Sequence, residues 1–318
     1  MSLNVPILSI GELLIDFFCN EVNTNLKDGQ SFTKKAGGAP ANVCATISRL
    51  GGSAYFSGKV GADPFGDFLE TTLKDVGVNT KFLVKDPTHA TTLAFVSLTE
   101  DGQRDFVFNR GADAYLAIDE FPLETLDTIK IVHFGSATAL LPGAFQHTYF
   151  EVLKVAKQKN CFISFDPNFR SDLWKGKERD FVELTLQCIA YCDFLKVSEE
   201  ELMLLTNESD LNKAITQLHL VGAKFIAVTL GKNGTYFSNR EHTFLIESIS
   251  IKAIDSTGAG DAFVGAALFQ LSSLPDPHIA TLSQWKDIIQ FSNKVGAIVC
   301  EKMGAIESLP TLDEVLKR

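Results

Sequence analysis

The stretch DSTGAGDAFVGA, Asp255 to Ala266, sets two glycines one residue apart, follows them with an aspartate and then runs into apolar spacing. Phe263, Val264, Ala267, Leu268 and Leu271 make a helical stripe, and Ser248 to Ile254 reads as a strand. The glycine turn between them therefore opens a helix. At a helix N-terminus unpaired N–H groups and the dipole attract an anion, and glycine lets that anion approach the backbone. Asp261, in the first turn, then stands beside whatever phosphate the amides hold. A dinucleotide fingerprint fits poorly, because the position of its third glycine is Phe263. A Walker loop fails as well, since no Gly-Lys-Ser/Thr follows a glycine-rich loop. Two readings stay open from these residues alone. One is a plain strand–turn–helix whose aspartate favours the dipole. The other is a phosphoryl-transfer turn, with amides on the phosphate and Asp261 on the acceptor hydroxyl.

The chain around this turn has 318 residues, 45% of them apolar, enough for a sizeable core. A formal charge of -10 argues against a nucleic-acid surface, which needs a basic stripe. No run of about 18 apolar residues occurs, so no membrane span is expected. The opening MSLNVPILSIGELLIDFF lacks a basic leader and is interrupted by Glu12 and Asp16, unlike a signal peptide. The six cysteines (Cys19, Cys44, Cys161, Cys188, Cys192 and Cys300) are scattered and read as free thiols of a cytoplasmic protein. The six histidines are unpaired, and His133 reads as a core residue more readily than a cleft one.

Short β-rich runs recur (VPILSI, SAYFSGKVG, IKIVHFGS, CFISFD, DFLKV, KFIAVTL), separated by helical patterns such as APANVCATISRLG, AFQHTYFEVLKVAKQKN and RDFVELTLQCIAYC. That alternation predicts βαβ units, hence a three-layer α/β fold with a mostly parallel sheet. One segment departs from it. TTLAFVSLTEDGQRDFVFNRGA alternates apolar and polar residues on both sides of Asp101-Gly102, a hairpin pattern. The hairpin, near 90–112, and the helix-poor segment near 17–35 are expected to form a small β lid within one domain spanning 1–318. A lid of this kind lies over the C-terminal strand ends, where open α/β sheets bind ligands.

A second glycine cluster, AGGAPANVCATISRLGG, opens a helix at Gly37-Gly38 and closes it at Gly51-Gly52, with Asn42 in its first turns. Together with DSTGAGDAF, with VTLGKNG (Val228 to Gly234) and with EKMGAIESLP, it makes the whole chain resemble the ribokinase-like (PfkB) carbohydrate kinases. Through GELLIDF, DPNFRSDLW and KVSEEEL the chain is most similar to the fructokinases among them.

The resemblance implies transfer of the ATP γ-phosphate to a sugar, most simply D-fructose to fructose 6-phosphate. It makes Asp261 the base that takes the hydroxyl proton and sets Gly258, Ala259 and Gly260 on the transferring phosphate. It puts Asp16, at the end of the first strand, with Gly37, Gly38, Asn42, Arg110 and Arg170 on the sugar. Thr229, Gly231, Gly234 and Asn293 fall on the nucleotide, and Glu201 on Mg2+ through water, with Ser198 standing where the family has Asn. Asp255, Thr257, Val299, Lys302, Gly304 and Ser308 match a K+ segment. The family also implies a homodimer paired through the lid. A 2-keto-3-deoxygluconate kinase, a nucleoside kinase and a non-catalytic binding protein are the alternatives.

Overall fold

The structure, a computed structural model, describes residues 5–21, 23–98 and 104–318. The first half runs β1 (Ile7–Ile10), β2 (Leu14–Cys19), β3 (Phe32–Gly37), α1 (Ala39–Arg49), β4 (Ala54–Gly61), α2 (Pro64–Asp75) and β5 (Asn79–Asp86). It continues through β6 (Leu93–Leu98), β7 (Arg104–Asn109), β8 (Ile131–Gly135), α3 (Ala144–Gln158) and β9 (Phe162–Asp166). The second half has α4 (Ser171–Trp174), α5 (Glu178–Ile189), β10 (Phe194–Ser198), α6 (Glu199–Thr206), α7 (Leu211–Val221) and β11 (Phe225–Thr229). It ends with β12 (Thr235–Ser238), β13 (Thr243–Ile246), α8 (Ala259–Leu271), α9 (Leu282–Val299) and α10 (Leu312–Leu316).

Among the described residues the strands form two sheets. The larger has nine strands in the order β13-β12-β11-β10-β9-β8-β1-β4-β5, and β3-β2-β6-β7 form the smaller. The large sheet is parallel from β5 to β11, and β12 and β13 add an antiparallel edge. Every residue of β1, β8 and β9 is buried, as expected of a parallel sheet covered on both faces. Alternate residues of β8 divide between the two cores. Ile131 packs with α1, α8 and α9, while Val132 and Phe134 pack with α3, α5 and α7. Trp285 of α9 closes the first core, its ring centroid 4.6 Å from Phe225 and 4.9 Å from Phe237. The expected three-layer α/β fold with a small second sheet is the one observed.

Two readings need correction. Residues 248–254 are not a strand: Ile254 and Asp255 donate their N–H groups to Cys300 O (2.7 and 3.2 Å), so the segment lies along the C-terminal loop instead of a sheet. Asp16 is not at the end of the first strand. The chain leaves the large sheet after Ile10, and Asp16 sits on β2 of the small sheet. There β2 pairs antiparallel with β3 and parallel with β6, while β6 and β7 form the expected hairpin. The hairpin's Asp101-Gly102 turn lies outside the described residues.

Candidate active site

Helix α8 begins where the glycine turn predicts. Its N-cap, Gly258, has φ 76°, and a Cβ there would fall 2.6 Å from the Ala305 side chain, so both conformation and space require glycine. The first-turn amides of an α-helix have no intrahelical acceptor and so face an incoming anion. Ala259 differs from its neighbours, because its N–H closes the turn onto Ser256 O at 3.2 Å.

Asp261 stands in this first turn, 7% exposed. Helix α1 brings Asn42 to it, because Gly38 (φ 116°) turns the chain sharply out of β3. The Asn42 side-chain amide donates to Asp261 Oδ2 at 2.9 Å. Burial pushes the Asp261 carboxyl up to about 6, against the Asn42 hydrogen bond and the charges of Arg170 and Lys196. The sequence alone suggests an unshifted, weak base near 3.9. Burial makes it a stronger one that is still mostly ionised at neutral pH.

Among the residues expected at a sugar, Asp16 faces Gly37 so closely that a Cβ on Gly37 would lie 2.0 Å from its Oδ2. Burial raises the Asp16 carboxyl to about 6, with Arg170 opposing. Arg170 follows β9 and donates to Phe169 O at 3.1 Å, and its charge acts on both Asp16 and Asp261. Asp16, Gly37, Gly38, Asn42, Arg170 and Asp261 therefore converge. Arg110 does not join them through its charge. It lies one residue beyond β7, and each guanidinium nitrogen has an acceptor: Asp113 Oδ2 (3.2 Å), Pro142 O (2.9 Å) and Thr138 O (2.9 Å).

The nucleotide candidates also meet. Thr229 ends β11, Gly231 (φ 56°) opens a short helical turn, and a Cβ on Gly234 would lie 2.1 Å from Ile246 O. Asn293 ties this corner down, accepting from Thr235 Oγ1 at 2.6 Å and donating to Ile246 O at 2.9 Å. Its amide is thus occupied in holding the wall of the site. Ser198 caps α6: its Oγ accepts from the Glu201 N–H (3.1 Å), and Glu201 returns a carboxylate oxygen to the Ser198 N–H (2.7 Å). The other Glu201 oxygen accepts from the Phe169 N–H at 2.8 Å. Serine in place of asparagine therefore orients the glutamate.

Lys196 is a residue that motif reading missed. It is 7% exposed on β10, with its ammonium 3.0 Å from Asp166 Oδ2 and 3.1 Å from where a Cβ on Gly260 would stand. Burial works against its charge, but Asp166, Glu201 and Asp261 outweigh it and raise the pKa. The signal was a lysine inside the apolar run DFLKV, a residue seldom buried unless paired.

The proposed cation segment is drawn together by hydrogen bonds. Asp255 accepts from the Gly304 N–H (2.9 Å) and from Thr257 N–H (2.9 Å), and Ser308 Oγ donates to Gly304 O. Lys302 donates its N–H to Val299 O at 3.4 Å. Among the described residues no group of three or more His, Cys, Asp or Glu forms a ready metal centre. His133 is fully buried, with Nδ1 3.0 Å from Ser164 Oγ, and burial pushes its pKa down to about 3, so it stays neutral. The six cysteines are free, Cys44, Cys161, Cys188 and Cys192 being buried. Among the described residues no helix is long and apolar enough to cross a membrane.

The family profile described as pfkB family carbohydrate kinase matches residues 6–312. Fructokinase-1 of Zea mays is 38% identical over 317 residues, covering 98% of this chain and 96% of the relative. A fructokinase with bound ATP from Xylella fastidiosa superposes with a TM-score of 0.89 at 32% identity, over 99% of this chain and 98% of that one. A fructokinase double mutant from Vibrio cholerae O395, in its fructose-, ADP- and potassium-ion-bound form, superposes at 0.86 with 28% identity over 99% and 98%. With two glycine motifs meeting at a buried aspartate, and a profile match running almost end to end, the chain belongs to the pfkB family of carbohydrate kinases.

Proposed function

We propose that this protein transfers the γ-phosphate of ATP to D-fructose, giving fructose 6-phosphate. The observation that carries the reading is Asp261: buried, raised to about 6, and held by Asn42 in the first turn of a helix whose N-terminus suits an anion. Asp16 accepts from sugar hydroxyls, Arg170 donates to them, and Asp261 orients the reacting hydroxyl and takes its proton as the phosphoryl group arrives. In a loose phosphoryl-transfer transition state the proton leaves late, so orientation matters more than basicity. Gly258 and Gly260 amides stabilise charge on the transferring group, and Lys196 adds a fixed positive charge beneath them.

Magnesium fits as an ion carried by ATP. Glu201, with each oxygen accepting one backbone N–H, and Asp166, paired with Lys196, would hold its waters. When bound, it neutralises charge between the phosphates. The segment that Asp255, Thr257, Gly304 and Ser308 tie together, with Val299 and Lys302 beside them, is where a monovalent cation such as K+ would sit. The chain acts in the cytoplasm as one kinase unit, with the four-stranded sheet as its lid. The edge strands β3 and β7 are of the kind that pair between copies, which favours a homodimer.

Arg110 weighs against the acid substrate 2-keto-3-deoxygluconate. With its three nitrogens each bonded to a protein acceptor, Arg110 is less free than Arg170 to turn both arms of its fork to a carboxylate. A purified-protein screen of sugars and nucleosides with magnesium ATP, reading ADP release, tests the assignment. Preference for the keto-acid, or for a nucleoside, over fructose would overturn it.

A further inference from the structure

The chain crosses between the two sheets four times: at 11–13 between β1 and β2, at Gly38 between β3 and α1, at 87–92 between β5 and β6, and at 110–113 after β7. Two carboxylates, each 1% exposed, gather these crossings. Glu12 Oε1 accepts from the Ala39 N–H (3.1 Å) and the Ala137 N–H (3.3 Å), and Oε2 accepts from Ser136 Oγ. Asp113 accepts from Thr92 Oγ1 on one oxygen, and from Arg110 Nε (3.2 Å) and Thr138 Oγ1 (2.8 Å) on the other. Thr92 Oγ1 in turn accepts from the Gly111 N–H at 2.8 Å. Both carboxylates thus end on the same three residues after β8, Ser136 to Thr138.

We propose that Glu12 and Asp113, anchored on Ser136 and Thr138, are positioning residues that fix the lid against the large sheet and so hold Asp16 in register with Asp261. The chain connectivity supports this. Glu12 lies four residues before Asp16 and bonds the first residue of α1, the helix that presents Asn42 to Asp261. The hydrogen-bond pattern is strict as well. Ser136 Oγ already accepts from the Thr138 N–H (3.3 Å) and the Ala139 N–H (2.9 Å), which commits its single proton to Glu12. Each of these Glu12 partners is a donor, so a side chain with an N–H at this place meets another donor. Neither carboxylate touches the reacting groups; both act through the strands they hold.

The inference rests on the four-stranded sheet being the lid of a sugar kinase. Its test is Glu12→Gln, which swaps one acceptor oxygen for an N–H donor at nearly constant volume. The sugar KM is expected to rise about tenfold with kcat and ATP KM nearly unchanged, the split that marks lost uniform sugar binding. Combining it with Ser136→Ala should give less than the product of the two single effects, because both break one contact. Amide exchange supplies a readout without turnover: Ala39 and the amides of β2 and β3 should lose protection in Glu12→Gln, while those of β9 and β10 keep theirs. A variant that lowers kcat or raises ATP KM as much as sugar KM would overturn the proposal. So would multiplicative effects, or unchanged exchange in β2 and β3. If Glu12→Gln does not fold, Asp113→Asn with Thr138→Val, which share one contact, answers the KM and coupling measurements, with exchange read in β6 and β7. A wild-type protein that phosphorylates no sugar would sink the kinase reading, and the exchange data would still decide whether these carboxylates set the lid.

Discussion

The Asn42 side-chain amide donates to Asp261 Oδ2 at 2.9 Å, joining residues 219 positions apart. This bond is one of the few forces holding the Asp261 carboxyl down against a burial that pushes it up to about 6. Asn42→Ala removes it. The acid limb of kcat/KM should then move to higher pH by about one unit, given the strength of hydrogen bonds to charged groups. Activity should fall more at pH 6 than at pH 8. A uniform loss at both would mean that Asn42 serves the sugar and not the base.

Asp16 and Asp261 share that raised value of about 6, each mainly because it is buried. In the proposed mechanism both need to be ionised, one to accept from sugar hydroxyls and one to take a proton. Because kcat/KM reports the free enzyme, its logarithm should first dip near pH 7, where burial places the Glu12 carboxyl, and then fall below pH 6 with a slope approaching 2, one proton from each of Asp16 and Asp261. Asp16→Asn should leave a weaker enzyme whose acid slope is 1. A slope of 1 in the parent would leave only one of the two carboxylates in the ionised role.

Much of this site was legible because its chemistry needs glycine. Gly37-Gly38 and Gly258-Ala259-Gly260 announce backbone approach and helix starts, and they fixed where α1 and α8 begin. What stayed hidden was set by contacts between distant segments. The strand predicted at 248–254 pairs with no sheet edge, and at its end Ile254 donates instead to Cys300 O after α9. Asp16 was displaced to the small sheet because nothing in GELLIDF marks the break after Ile10. Arg110 is held by Asp113 and two loop carbonyls, which no spacing foretells. Lys196 was visible in DFLKV, but its significance depends on Asp166 from another strand.

Lys196 and Asp166 form an ion pair at 3.0 Å, with side chains 9% and 1% exposed. Lys196→Met strands the Asp166 charge, and breaking one side of a buried pair costs about 3–5 kcal/mol. Stability should therefore drop, and so should turnover, by about a hundredfold if the ammonium stabilises transition-state charge. Adding Asp166→Asn neutralises the stranded carboxylate and should restore most of the thermal stability. Turnover should stay low in the double variant. If activity returned along with stability, the lysine would be a structural partner of Asp166 and nothing more.

Asp261 itself should be a stability cost kept for function. Its carboxyl titrates near 3.8 when exposed and at about 6 in the fold. Between those values the native state keeps a proton that the unfolded chain has released, so the group's contribution to stability falls as pH rises through the window. Above pH 6 the ionised, buried carboxylate opposes folding by up to about 3 kcal/mol. Asp261→Asn removes the charge and keeps an oxygen to accept from Asn42. The variant should melt a few degrees higher than the parent at pH 8, with about half that gain near pH 5, partway through the window. Its turnover should fall by about a hundredfold or more, the scale of general-base effects. Thermal melts at the two pH values, set beside steady-state rates, separate the outcomes. Equal gains at both would show that the stabilisation is packing and not charge, and near-native turnover would remove Asp261 from the base role.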